Sequence, residues 1–550
     1  MGKLARLFAA VVIAGLIAPL PAAHADGRDS RVRWKACYPE AGPSFECASE
    51  RVPLDYDRPR GRHISLALAR LPASEPHAKR GSIFLNPGGP GGSGVDFVVG
   101  AGPFLYSEEV RRRFDLVGFD PRGIARSSPL ICFRSLEESF AVFPPFAFPV
   151  TPEEEALVEL LDTQLNSACQ RRGGRIVDHM ATANVARDLD RLRQAVGDRR
   201  LSYVGYSYGS FLGVTYANLF PRRVRSLVVD GVPDPIAWTT GRGEEARTLP
   251  FSTRLRSDAS TAATLEEFFR LCDAAGAERC AFAGHAALRF AALAERLRAE
   301  PVEITDPETG EPFPFTYADL IGTAAGAMFE SASWPEFAGF LAEVEAAAGP
   351  AALGTALRAV SKSSPGEPPA PYENFVEGFP GVACADSVNP DDHSYWSSAG
   401  AEADEQFGYF GRPWTWGSSI CAVWEGFDHD RYLGPFNRPT ANPVLVVGNR
   451  FDPSTRYEGA LIVHELLPDS SLLTVEGWGH TSPLLSLCAD QTVSRYLLDK
   501  TTPPEGTTCA QDVGPFESVA AAAPGSGLKL RARQRARAEA MSEIVPPAAR

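Results

Sequence analysis

The hydrophobic pattern of the chain alternates between short apolar runs and longer stretches with apolar residues at helical spacing. Short runs bounded by Gly, Pro or Asp predict buried strands. The predicted strands lie at residues 64–71, 81–85, 114–119, 201–204, 224–229, 443–448 and 472–475. The predicted helices between and after them lie at residues 182–196, 211–220, 458–467 and 492–499. This alternation predicts an α/β fold in which helices cover both faces of a mostly parallel sheet.

The alternation stops over a long internal region at residues 235–440. Its predicted helices lie at residues 264–272, 285–299, 317–329 and 334–348, and a Pro-rich connector follows at 361–371. A stretch of this length is far too long for a loop. We therefore predict a helical cap domain at 235–440, inserted between a first part of the core at 26–234 and a second part at 441–510.

The two ends of the chain differ from the rest. Basic residues precede an apolar stretch at 7–20, and the small residues around Ala25 match a cleavage site. Residues 1–25 are therefore predicted to be a signal peptide, and we expect a secreted, extracellular protein after cleavage near Ala25. Residues 511–550 are Ala-rich and then basic. We interpret them as a disordered or weakly helical tail, and contact with a membrane surface stays open.

Composition and charge exclude some classes of binding partner and of protein. The 550 residues are 44% hydrophobic and 22% charged, which is typical of a globular protein. The formal net charge of −14 argues against nucleic acid as a partner, because nucleic acids attract basic surfaces. After the signal peptide no stretch reaches the ~18 apolar residues of a spanning helix, so no transmembrane segment is predicted. The oligomeric state stays open, and we favour a monomer.

The cysteines agree with export. An even number of cysteines in an exported protein predicts disulfides, and no cysteine or histidine spacing here suggests a metal site. The sequence does not fix the connectivity. We predict that neighbouring cysteines pair, because each pair then closes a local loop. The predicted pairs are Cys37–Cys47, Cys132–Cys169, Cys272–Cys280, Cys384–Cys421 and Cys488–Cys509.

One short stretch carries the strongest chemical signal. Residues 205–209 read Gly-Tyr-Ser-Tyr-Gly between a predicted strand and a predicted helix. Strand, G-x-S-x-G turn and helix together are typical of a nucleophile elbow, whose sharp turn exposes the serine above the sheet. Gly205 and Gly209 leave the space that the turn needs. We therefore predict Ser207 as a nucleophile, with a plain Gly/Ser turn as the alternative.

A Gly-rich loop follows the predicted strand at 81–85. Residues 86–94 read Asn-Pro-Gly-Gly-Pro-Gly-Gly-Ser-Gly, and such a backbone can approach a ligand closely. In α/β hydrolases the loop after this strand gives one N–H group to the oxyanion hole, and the residue after the nucleophile gives the other. We predict Gly89 and Tyr208 as these donors. Gly88 is the alternative to Gly89, and a flexible linker is the alternative to an oxyanion loop.

A serine nucleophile needs a base, and the base needs an orienting carboxylate. In this fold both follow late strands, in the order Ser, acid, His. Asp452 is the only carboxylate between the strand at 443–448 and the next helix, although it could instead cap that helix. His480 follows the last strand, whereas His464 lies within a predicted helix. The predicted triad is Ser207, Asp452 and His480, and its chemistry requires no metal or organic cofactor.

Several segments together carry a resemblance to a known family. They read V-P-L-D-Y (52–56), N-P-G-G-P-G-G-S-G (86–94), G-Y-S-Y-G-S (205–210), P-V-L-V-V-G-N-R-F-D-P-S-T (443–455) and G-W-G-H (477–480). The chain resembles the secreted bacterial tripeptidyl aminopeptidases, which are proline-iminopeptidase-like serine peptidases with the α/β-hydrolase fold. The resemblance covers most of residues 30–510. It implies the same triad and a serine exopeptidase that releases short peptides, such as tripeptides, from free N-termini.

The resemblance also implies that carboxylates of the cap bind the α-ammonium group of a peptide substrate. Glu373, Glu377 and Asp386 are the candidates. Pro87 stands where proline iminopeptidases carry the histidine of H-G-G-P-G, which argues against strict proline specificity. A carboxylesterase or lipase with the same triad is the main alternative, and it would lack an amine-binding acid. An endopeptidase and a non-catalytic binding protein are the other two alternative functions.

Overall fold

The computed structural model describes residues 32–41, 45–305, 312–348, 374–517, 533–538 and 541. The signal peptide at 1–25, the Pro-rich connector at 361–371 and Glu373 lie outside these residues, as does most of the predicted tail at 511–550.

The described residues contain twelve β-strands, most of them in one sheet. The strands are β1 (Lys35–Cys37), β2 (Phe45–Pro53), β3 (His63–Leu71), β4 (Gly81–Asn86), β5 (Phe114–Phe119), β6 (Leu201–Tyr206), β7 (Val224–Asp230), β8 (Val302–Thr305), β9 (Pro312–Phe315), β10 (Val444–Phe451), β11 (Ser470–Trp478) and β12 (Thr508–Ala510). The strand order in the large sheet is β1-β2-β3-β5-β4-β6-β7-β10-β11-β12, and β8 pairs only with β9.

The large sheet is antiparallel at one side and parallel over the rest. β1, β2, β3 and β5 pair antiparallel in that order. All pairs from β5–β4 to β11–β12 are parallel. β4, β5 and β6 are buried along their whole length, and strands covered on both faces read as continuous apolar runs. The predicted mostly parallel sheet is confirmed.

The described residues also contain eighteen α-helices. They are α1 (Gly94–Gly100), α2 (Glu108–Arg113), α3 (Leu136–Phe140), α4 (Pro152–Arg172), α5 (Thr182–Ala195), α6 (Tyr208–Leu219), α7 (Pro235–Thr239), α8 (Glu245–Thr248), α9 (Phe251–Leu255), α10 (Ser257–Ala275), α11 (Ala286–Ala299), α12 (Tyr317–Met328), α13 (Trp334–Ala347), α14 (Phe375–Asp386), α15 (Ser394–Phe407), α16 (Gly411–Trp416), α17 (Tyr457–Leu466) and α18 (Leu487–Asp499).

Helices lie on both faces of the sheet. Successive residues of β4 enter different apolar cores, Phe84 in one and Ile83 and Leu85 in the other, because side chains alternate between the faces of a strand. The core that contains Phe84 includes α5 and α6, and the second includes α1 and α18. This arrangement confirms the α/β fold with helices on both faces.

A helical region is inserted between β7 and β10. It contains α7 to α16 and the β8–β9 hairpin, and it has an apolar core in which the rings of Trp334 and Phe337 lie 5.5 and 5.1 Å from that of Phe268. The inserted helices confirm the predicted insertion, but the hairpin is not predicted from the sequence. β9 reads Pro-Phe-Pro-Phe, and proline argues against a strand because it cannot donate to the ladder.

A buried arginine connects the loops beneath the carboxyl edge of the sheet. Arg122 has no exposed surface, and its guanidinium donates two hydrogen bonds of 2.7 and 2.6 Å to Asp188 on α5. It also donates to the carbonyl oxygens of Pro53, Leu54 and His179 at 3.0, 2.8 and 3.2 Å. A bidentate ion pair with three further acceptors satisfies the charge without water.

A second buried charge site holds the N-terminus of α5. Asp386, the last residue of α14, accepts hydrogen bonds from the backbone N–H and the hydroxyl of Thr182 at 2.7 and 2.6 Å. The indole N–H of Trp238 lies at 3.4 Å. Burial raises the pKa of Asp386 to about 7, although these donors oppose the rise. The carboxyl group therefore titrates far above its ordinary range.

The Arg122–Asp188 pair gives a first test of the fold. Asp188→Asn keeps the shape of the side chain but leaves a buried guanidinium without its counter-charge. We expect a loss of about 3–5 kcal/mol in the free energy of unfolding, measured by urea denaturation. Arg58→Ala, which removes an exposed ion pair to Asp55, should change it by less than about 1 kcal/mol. Equal effects of the two variants would contradict the role given to Arg122.

Asp386 predicts a pH-dependent stability. Its folded pKa lies above the ordinary value, so the folded state holds the proton more tightly, and this stabilisation is lost as the pH rises through about 7. Asp386→Asn stays neutral and lacks this dependence. Between pH 5 and pH 8 the wild type should lose about 2–3 kcal/mol more unfolding free energy than the variant.

Urea denaturation at the two pH values measures this difference, and Asp391→Asn, at an exposed position, is the matched control. Parallel pH curves for the wild type and Asp386→Asn would refute a proton held at Asp386.

Candidate active site

Ser207 lies in a tight turn between β6 and α6. Its backbone has φ 53° and ψ −129°, a strained conformation for a residue with a side chain. A Cβ on Gly205 would lie 2.0 Å from the carbonyl oxygen of Gly209, and a Cβ on Gly209 would lie 2.6 Å from that of Asn86. Only glycine fits at either position, so the sequence motif and the geometry of a nucleophile elbow agree.

The Gly-rich loop lies against this turn. A Cβ on Gly88 would lie 2.9 Å from Cβ of Ser207 and 3.1 Å from the nitrogen of Tyr208. The N–H of Gly88 donates to the side chain of Asn86 at 3.0 Å. Within the part of the chain that the structure describes, the N–H groups of Gly89 and Tyr208 donate to no other residue. These two donors therefore stay available beside the serine turn.

The side chain of Tyr208 makes contacts of its own and is not the predicted oxyanion donor. Its hydroxyl pairs with the hydroxyl of Thr182, and its ring lies 5.5 Å from that of Trp238 and 6.3 Å from that of Phe211. Tyr208 is 3% exposed. The packed ring fixes the position of Tyr208, the first residue of α6. The predicted oxyanion donor is therefore its backbone N–H and not its side chain.

Asp452 and His480 meet at the carboxyl ends of β10 and β11. The Nδ1 atom of His480 lies 2.9 Å from both carboxylate oxygens of Asp452, and neither residue is exposed. The carboxylate also accepts from the N–H groups of Ser454, Thr455 and Thr481 at 2.9, 2.8 and 3.1 Å. Asp452 does not cap the next helix, because α17 begins only at Tyr457.

These donors set the charge of the pair. Burial by itself would raise the pKa of Asp452, but His480 and the backbone donors at Thr455 and Thr481 hold the pKa below its ordinary value. Asp452 is therefore an anion. A buried anion on Nδ1 fixes the tautomer of the imidazole, so that Nε2 is the basic nitrogen.

The Nε2 atom of His480 is buried and makes no hydrogen bond to the described residues. The ring packs edge-on against Phe329 at 5.4 Å. The described residues include no hydrogen bond between Nε2 and the hydroxyl of Ser207. Catalytic hydrogen bonds are often long without substrate.

Asp230 connects the serine turn to the histidine loop. Its carbonyl oxygen accepts from the N–H of Ser207 at 2.9 Å. Its carboxylate accepts from the N–H and the hydroxyl of Ser482, at 3.1 and 2.5 Å. Burial raises the pKa of Asp230 to about 7, and nearby Asp452 adds to the rise. Asp230 is not among the residues predicted from the sequence, although it is an acid at the end of a strand, β7, just as Asp452 directly follows β10.

The three predicted amine-binding acids do not form one cluster. Glu373 lies outside the described residues. Asp386 is buried and directs its carboxylate to Thr182, as described above. Glu377 is also buried and accepts from the N–H of Cys132 at 3.0 Å. The residue after Glu377 contacts the Gly-rich loop, since a Cβ on Gly91 would lie 4.0 Å from Cα of Gly378.

Five disulfides are present, and their pairs match those predicted from the sequence. They are Cys37–Cys47, Cys132–Cys169, Cys272–Cys280, Cys384–Cys421 and Cys488–Cys509. Among the described residues, no helix is long and apolar enough to cross a membrane.

Comparison with known proteins identifies the family. Residues 405–509 match the family described as TAP-like protein, and residues 81–255 match the family described as alpha/beta hydrolase fold. The serine protease Hip1 of Mycobacterium tuberculosis is 32% identical over 479 residues, which cover 84% of this chain and 87% of that protein.

Two further relatives carry different names. The tripeptidyl aminopeptidase of Streptomyces lividans is 29% identical and covers 89% of this chain and 87% of its own length. Carboxylesterase B of Mycobacterium tuberculosis is 29% identical and covers 87% of this chain and 89% of its own length. The resemblance to tripeptidyl aminopeptidases is confirmed at the level of the family. The chain therefore belongs to the TAP-like family of α/β hydrolases and is a serine hydrolase.

Proposed function

We propose that this chain is a secreted serine exopeptidase that releases short peptides, in particular tripeptides, from free N-termini. The observation that carries the hydrolytic part is the buried Asp452–His480 pair at the sheet edge where Ser207 occupies its strained turn. The peptidase part is supported by relatives named serine protease and tripeptidyl aminopeptidase. Secretion is supported by the five disulfides, which persist in oxidising compartments.

The proposed reaction begins with proton transfer from the hydroxyl of Ser207 to Nε2 of His480. The serine oxygen attacks the carbonyl carbon of the peptide, and the anion of Asp452 stabilises the imidazolium that forms. The N–H groups of Gly89 and Tyr208 bind the oxyanion. His480 then gives its proton to the leaving amine, and a water molecule, deprotonated by the same imidazole, hydrolyses the acyl-enzyme.

An aminopeptidase must also bind the α-ammonium group of its substrate at a fixed distance from the serine. Among the three predicted acids we assign this role to Glu377, because its helix contacts the Gly-rich loop beside Ser207. Asp386 fits the role less well, since Thr182 and Trp238 already occupy its carboxylate.

A carboxylesterase is the second candidate function. One relative of similar identity carries the name carboxylesterase B, and the proposed triad would hydrolyse esters and peptides by the same steps. The two functions differ in whether the site binds a charged amine.

Matched substrates test the proposal. A chromogenic tripeptide anilide with a free N-terminus should be cleaved at least about 10- to 100-fold more efficiently than its N-acetylated form, because acetylation removes a charge-assisted contact. Ser207→Ala should lower kcat by roughly 10⁴-fold or more. Initial rates measured by absorbance give kcat and KM for each combination of enzyme and substrate.

Equal cleavage of the free and acetylated peptides would argue for an endopeptidase. Cleavage of short acyl esters alone would establish the carboxylesterase. Retention of peptide cleavage by Ser207→Ala would refute the serine mechanism.

Glu377→Gln tests the amine site separately. Glutamine keeps an oxygen that can accept from Cys132 but removes the charge. We expect KM for the free peptide to rise about 10-fold or more while kcat changes little, and the acetylated peptide should show no change. Asp386→Asn is the control buried acid on the same helix. A similar rise of KM for both peptides would show that Glu377 acts on the fold rather than on the ammonium group.

A further inference from the structure

The loop that carries His480 has an unusual backbone. Gly479, Thr481 and Leu484 all have positive φ angles, at 112°, 59° and 64°. Two of them bear side chains, for which this conformation is strained. Such a loop keeps one geometry only if its surroundings hold it.

A residue from the C-terminal basic segment supplies much of that support. Arg537 is 3% exposed, and its guanidinium donates to the carbonyl oxygens of Pro483, Thr481 and His480 at 2.8, 3.3 and 3.2 Å. Its Nε atom lies 2.8 Å from a carboxylate oxygen of Glu330. One side chain thus holds three carbonyl groups of the loop backbone, including that of His480 itself.

Two neighbours of Arg537 reach the same loop. Arg533 donates to Asp490 at 2.7 Å, and the other oxygen of Asp490 accepts from the N–H of Leu484 at 3.2 Å. Met541 is 3% exposed, and its sulfur lies 3.8 Å from the hydroxyl of Thr481. Arg533 and Arg537 are four positions apart, which places them on one face of a helix.

The segment between them is helical over residues 533–538, and Arg535 within it is exposed. The sequence-based interpretation of 511–550 as a disordered or weakly helical tail does not foresee these buried contacts. The match to the TAP-like family ends at residue 509, so the contacts come from a part of the chain beyond that match.

We propose that Arg537 is a positioning residue of the active site, through which the C-terminal segment holds the His480 loop in its working geometry. The inference rests on the proposed role of His480 as the base. Among the described residues, the hydrogen bonds and the ion pair of Arg537 go to the loop backbone and to Glu330, so its loss should misplace the imidazole without removing any catalytic group. Misplacement of a catalytic group by about 1 Å can cost about 100-fold in rate.

The experiment compares full-length variants of neighbouring arginines. Two variants, Arg537→Ala and Arg537→Lys, alter the contacts with the loop. The control, Arg535→Ala, removes a positive charge from the same helical turn without altering those contacts. The first readout is the second-order rate constant for modification of Ser207 by a fluorophosphonate, with Ser207→Ala as the blank. The reagent reports the activation of the serine whichever substrate the enzyme prefers.

Arg537→Ala should react about 10- to 100-fold more slowly than the wild type. Arg535→Ala should react at the wild-type rate, and Arg537→Lys should lie between, because one ammonium cannot reach all four acceptors. With the peptide anilide, kcat should fall while KM stays near its wild-type value. If Arg537→Ala does not fold, as judged by urea denaturation, Arg537→Lys and Glu330→Gln provide the same comparison.

Wild-type rates for every folded Arg537 variant would overturn the proposal, as would equal losses in Arg535→Ala. A reactive wild type that cleaves no peptide would refute the proposed exopeptidase and leave this comparison intact. A wild type that does not react with the fluorophosphonate would overturn both the positioning role of Arg537 and the proposed serine exopeptidase.

Discussion

The site depends on keeping a carboxylate ionised inside the protein, at Asp452. Burial favours the neutral acid, and the opposing donors come from two short stretches, the turn at Thr455 and the loop at His480. They converge only because β10 and β11 are adjacent parallel strands that end at the same edge. Gly231, directly after the neighbouring strand β7, leaves the necessary space, since a Cβ there would lie 2.7 Å from Cγ2 of Thr481.

Buried ionisable groups connect distant segments at several places around this edge. Arg122 joins two carbonyls at the end of β2 to α5, Asp386 joins α14 to α5, and Asp230 joins the Ser207 turn to Ser482. A charged group can make several strong hydrogen bonds at once. Its desolvation offsets much of their energy, so the main result of each connection is a fixed geometry rather than added stability.

The inserted helical region meets the catalytic edge through α14, through Phe329, whose ring packs against His480, and through α10, which donates hydrogen bonds to the turn after Asp452. One end of α14 contacts the Gly-rich loop, and the other end holds the start of α5. The serine chemistry is common to peptidases and esterases, so the choice between them depends on what this inserted region presents to the substrate. The relatives likewise include both kinds of enzyme by name: a serine protease, a tripeptidyl aminopeptidase and a carboxylesterase.

The sequence by itself determined the core strands β3 to β7, β10 and β11, the elbow at Ser207 and the positions of Asp452 and His480, whereas β1, β2 and β12 are not predicted from it. Each predicted feature follows from a local signal: a continuous apolar run, glycines at fixed spacing, or a polar residue directly after a strand. Only the tertiary structure decided which charges are buried and what they contact. Arg537 reads as one basic tail residue among several, and Asp386 reads as an acid available to a substrate. Their partners lie more than fifty residues away in the chain, and hydrogen bonds over such separations leave no periodicity in the sequence.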